Sequence, residues 1–138
     1  SNLFARYETD QEKERGGVPV VIDGATFFLR RAGGHNRAYR YALATAARGH
    51  ADVLKNASEN PQAAFDAQDD ITQQAFAEAV IVGWEGVDGR DGQPMEFTRE
   101  NFLDLVRSCA PVWDLLREAA IDDDRFRATI EDAQQLGE

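Results

Sequence analysis

The chain has 138 residues, 43% hydrophobic and 29% charged, which suits a soluble globular protein rather than a disordered one. A single domain of this length buries about 68% of the surface its unfolded form exposes, enough for a real core. The net charge of −10 argues against a general nucleic-acid binder, and no apolar run approaches the ~20 residues a membrane span needs. The single cysteine, Cys109, has no partner for an internal disulfide and sits among Val106, Ala110 and Val112 as a buried, inert thiol. The opening SNLFARYETDQEK lacks the basic start and apolar centre of a signal peptide, so a cytoplasmic protein is expected.

The charge is unevenly spread. From Arg30 to Lys55 six basic residues face one acid, whereas from Asn56 to Glu138 six basic residues face nineteen acids. Two readings are open: solvated faces that attract each other within the fold, or an acidic surface that keeps apolar clients dispersed.

In chain order, residues 1–17 read as a mobile segment in which Leu3, Phe4 and Tyr7 dock one short helical turn on the body. Residues 18–31 give the clearest β signal. Val18, Val20 and Ile22 alternate, as do Phe27 and Leu29, around Asp23-Gly24, the pair that a tight type I′ hairpin turn favours. Asn36 then caps a helix over Arg37–Lys55, weakened by Gly49. Asn60-Pro61 starts a second helix over Gln62–Val82, with Asp69 and Asp70 facing solvent. Trp84 to Phe97 reads as a glycine-rich interhelical loop pinned by Trp84, Val87, Met95 and Phe97. Thr98 caps a third helix, Pro111 divides it from a fourth, and Asp124 caps a last helix bearing Phe126 and Ile130. The expected fold is α+β and mostly α-helical, with an N-terminal β-hairpin followed by four to five helices packed as a small bundle. It forms one domain, with a helical body over 36–121 and a loosely attached helix over 122–138.

No catalytic or cofactor signature is present. His35 and His50 have no cysteine at zinc-ligand spacing. Asp88 and Asp91 miss the calcium-loop spacing and its closing glutamate. Neither an enzyme nor a cofactor or metal site is expected.

Two phrases carry a resemblance. W-E-G-V, an acidic glycine turn and P-x-x-F-T-x-E-N span Trp84 to Asn101, and R-A-G-G-x-N-x-A-Y spans Arg31 to Tyr39. In this order they resemble tail assembly chaperones of long-tailed bacteriophages, over roughly residues 18 to 120. The resemblance implies a small helical protein that holds the long tape measure protein soluble and recruits tail tube protein, in the host cytoplasm and outside the mature virion. It implies protein partners and neither nucleic acid nor membrane; self-association is open. Candidate client-binding residues, from the bottom-up reading, are Phe27 and Leu29 on the hairpin and Trp84, Val87, Met95 and Phe97 in the loop. The alternatives are a structural minor tail or head–tail completion protein, and a small acidic phage-encoded inhibitor or regulator.

Overall fold

A computed structural model describes residues 1–127. Two short helices, α1 (Leu3–Tyr7) and α2 (Gln11–Gly16), precede strands β1 (Val18–Ile22) and β2 (Ala25–Leu29). Helices α3 (Arg37–Arg48), α4 (Ala51–Lys55) and α5 (Pro61–Ala79) lead into strand β3 (Ile81–Glu85). Helices α6 (Arg99–Ser108), α7 (Ala110–Ile121) and α8 (Asp123–Phe126) complete the described chain. The fold is α+β, with a small antiparallel sheet in the order β1-β2-β3.

The hairpin forms as its sequence predicts. Asp23 and Gly24 take φ of 48° and 82°, the left-handed pair a tight turn needs, and set the register Ile22↔Ala25, Val20↔Phe27 and Val18↔Leu29. This alternation sends Val18, Val20, Phe27 and Leu29 into the core. An isolated hairpin is marginal in water. Here it gains a third strand and lies over a cluster built from Phe76, Phe102, Val106, Trp113 and Leu116.

That third strand corrects the expected loop. The helix stops at Ala79, with Val80 as its C-cap, and Ile81–Glu85 pairs antiparallel with β2 through Leu29↔Ile81, Phe28↔Gly83 and Phe27↔Trp84. The register shifts between Phe28 and Leu29, leaving Val82 as the extra residue of a bulge. The bulge keeps Ile81 and Trp84 on the core side and turns Val82 outward, where it is exposed.

Other expectations are corrected locally. The helix expected over Arg37–Lys55 breaks at Gly49-His50 into α3 and α4. Leu3, Phe4 and Tyr7 do form a helical turn, but all three side chains are exposed rather than docked. Residues 10–17 are not a bare tether. Asp10 caps α2 through bonds from the Glu12 and Lys13 N–H groups, and Glu14 is 2% exposed. Cys109 lies at the junction of α6 and α7 and is half-buried, with Pro111 in the first turn of α7. Asp122, not Asp124, caps α8, and Phe126 is fully buried, so the end of the described chain is firmly seated. Ile130 and the rest of the expected last helix lie outside the described residues.

Candidate partner-binding surface

Both phrases that carry the resemblance turn out to hold the fold together. In the first, Arg31 lies 3.0 Å from the buried carboxylate of Glu14 and also pairs with Asp123, joining α2, the end of β2 and α8. Gly34, at φ 55°, passes so close that a Cβ there would sit 2.9 Å from both Arg31 Nη1 and Glu14 Oε1. Asn36 is the hub of the turn. Its Oδ1 accepts from the Tyr39 N–H at 3.1 Å and caps α3, while Nδ2 donates to the carbonyls of Arg31 (2.9 Å) and Ala79 (2.8 Å). The side chain thus ties the hairpin to the junction between α5 and β3.

In the second phrase, Trp84 Nε1–H donates to the Met95 carbonyl at 2.9 Å. Its ring meets Phe27 and Phe97 edge-on, at centroid distances of 6.1 and 5.1 Å. Thr98 Oγ1 accepts from the Asn101 N–H, and Asn101 Nδ2 donates to the Glu96 carbonyl, closing the start of α6.

The six expected contact residues fare differently. Phe27, Leu29 and Val87 are buried in the core and present no surface. Trp84, Met95 and Phe97 are half-buried and pack against that core from its rim. Asp70, expected to face solvent, instead accepts from His50 Nε2 (2.7 Å), Gln74 (2.7 Å) and Arg107 (2.8 Å). It joins the start of α4 to α5 and α6. Burial alone raises this carboxyl's pKa, but the bonds from His50, Gln74 and Arg107 together hold it below the usual range.

One exposed apolar patch lies on the other side of the sheet; others are formed by Leu3, Phe4 and Tyr7 of α1 and by Phe65 of α5. Alternation places Pro19 and Val21 of β1, Phe28 of β2 and the bulged Val82 of β3 away from the core. Val21 is 69% exposed and Val82 43%, while Phe28 is half-buried. Nothing lies within 4 Å of a Cβ built on Gly83, opposite Phe28, so the face is open at its β3 edge. Along one edge, between β1 and α7, runs a groove of about 440 Å³ lined by Val21 and Leu115 and by the charged Asp23, Glu118, Asp122 and Arg125. Leu115 is also exposed. The sequence did hold a signal for Val21, because alternation of Val18, Val20 and Ile22 assigns it to the opposite face. Val82 had none, since its outward turn depends on the bulge.

Among the described residues no group of histidine, cysteine and acidic side chains is placed to hold a metal ion. No described helix is long and apolar enough to cross a membrane. The described residues form a small α+β domain with an apolar patch on its outer sheet face. The chain belongs to the YdaY prophage protein family, whose model matches residues 34–135, and is therefore phage-derived. The match takes in α3 to α8 and β3, and begins after the hairpin. No curated protein matches the chain, and no solved structure does.

Proposed function

We propose that this prophage protein is a tail assembly chaperone, which binds the tape measure protein, keeps it soluble and recruits tail tube subunits in the host cytoplasm. The observation that carries the reading is the outer sheet face, where exposed Val21 and Val82 flank the half-buried Phe28 on a chain with net charge −10. An apolar face accepts the apolar stripe of an amphipathic client helix, and an acidic exterior keeps the complex dispersed. The two motif resemblances and membership of a prophage family support it. The protein acts by binding and release, not by catalysis, and needs no cofactor.

Co-expression with the tape measure protein of the same prophage tests the proposal. The client alone should aggregate and should stay in the soluble fraction beside this chain, while purified virions should lack it. A client that still aggregates, together with virions that contain this chain, would replace the proposal with a structural tail or head–tail completion role.

A further inference from the structure

A second surface, apart from the apolar sheet face, has the opposite character. A cavity of about 420 Å³ opens where α2, the end of β2 and the start of α3 meet, lined by Glu14, Arg15, Arg30, His35 and Arg37 among others. Its arginines are unusual for so acidic a chain. Among the described residues seven arginines pair with carboxylates, Arg31, Arg90 and Arg107 among them. Arg15, Arg30, Arg37 and the flanking Arg40 have no such partner there. Arg30 and Arg40 are instead tethered through main-chain carbonyls, those of Arg15 (2.6 Å) and Gly34 (3.1 Å), which leaves their positive charge uncompensated.

The helix beneath adds to the positive field. The first turn of α3 holds no acid and begins with Arg37, although a helix N-terminus favours negative charge. The floor of the cavity asks for something else. Glu14 is almost wholly buried, yet its Oε2 accepts no hydrogen bond, and His35 Nε2 stands 3.9 Å away. A buried carboxylate oxygen without a donor is costly, and a ligand that brings one relieves the cost. The site therefore suits a ligand that carries negative charge and an N–H together.

We propose that this cavity binds an acidic, extended segment of a protein partner. Carboxylates of the segment pair with Arg15, Arg30 and Arg37, and one main-chain N–H donates to Glu14 Oε2. A bare anion supplies only the first half of this match.

Fluorescence anisotropy of the full chain with a labelled peptide of alternating glutamate and glycine tests the proposal. The parent should bind it, more weakly as salt rises. Arg37→Glu should weaken binding about tenfold or more, the scale of one lost charge-assisted hydrogen bond. Arg48→Glu makes the same charge change at the far end of α3 and should alter affinity by less than about twofold, as expected for a distant screened charge. A peptide with sarcosine in place of glycine, which lacks those N–H groups, should bind more weakly than the glycine peptide. Equal losses from Arg37→Glu and Arg48→Glu would reduce the site to general electrostatics and overturn it. Equal binding of the sarcosine peptide, or displacement by inorganic phosphate at matching concentration, would assign a bare anion instead. No peptide binding, with self-association at low salt that Arg37→Glu abolishes, would make a second copy the occupant and overturn the proposal.

Discussion

The indole N–H of Trp84 donates to the carbonyl of Met95, fastening β3 to the stretch that leads into α6 at 2.9 Å. The ring is only half-buried, but it closes a row of edge-on contacts from Phe27 to Phe97. Trp84→Ala removes the hydrogen bond and both ring contacts, and should lower stability by about 3 kcal/mol, the low end for truncating a large aromatic. Trp84→Phe keeps an aromatic ring and loses the N–H, so about 1 kcal/mol is expected. Denaturant midpoints of the two variants check the order. Equal midpoints would mean that the hydrogen bond, and not the ring, carries the anchor.

Gly24 and Gly34 share positive φ but differ in surroundings. A Cβ on Gly24 meets nothing within 4 Å, so Gly24→Ala carries only the left-handed backbone cost, about 1–2 kcal/mol. A Cβ on Gly34 would meet Arg31 and the buried carboxylate of Glu14 at 2.9 Å, and would push the pair apart. Gly34→Ala should therefore be the more destabilising of the two by equilibrium unfolding. The reverse order would show that the Glu14–Arg31 pair yields freely.

Much of this architecture was legible before the fold was known, and the reasons are local. Asp23-Gly24 with period-two apolar residues specifies a hairpin through neighbours alone, and Asn36, Asn60 and Thr98 cap the helices that follow them. Ile81–Glu85 was not legible, because its apolar residues continue the stripe of α5 and strand character arises only on pairing with β2. Glu14 lies in QEKERG, a run that resembles any solvated helix; its burial depends on Arg31, seventeen positions along the chain. The same gap separates the two accounts of the client surface. Phe27 and Leu29 are the hairpin's largest alternating residues, and they were claimed by the core. The smaller Val21, on the opposite face, was left outside.

Phe126 is fully buried, and its carbonyl accepts from the Asp10 N–H at 2.8 Å. Phe126→Ala should cost about 3–5 kcal/mol, as for other core aromatics. A midpoint close to the parent's would return α8 to the status of a loosely attached end.

The Asp70 carboxyl is held below its ordinary range, so its effect on stability has a definite sign. A carboxyl whose folded pKa is depressed stabilises the protein above its unfolded value, about 3.9. That contribution is lost as pH falls from there through the lower folded value. Chemical denaturation from pH 6 downward should show stability declining below about pH 4, and Asp70→Asn should flatten that part of the profile. An unchanged acid limb in the variant would remove Asp70 from the group of residues that join α4, α5 and α6.

The claim that the outer sheet face holds the client is tested most directly by Val21→Asp/Val82→Asp, co-expressed with the tape measure protein. Both side chains are exposed, so circular dichroism should show a folded variant. The measurement is the fraction of client left in the supernatant after centrifugation. The account predicts that the parent keeps the client soluble and that the folded double variant lets it sediment. A folded double variant that holds the client as well as the parent does would contradict it.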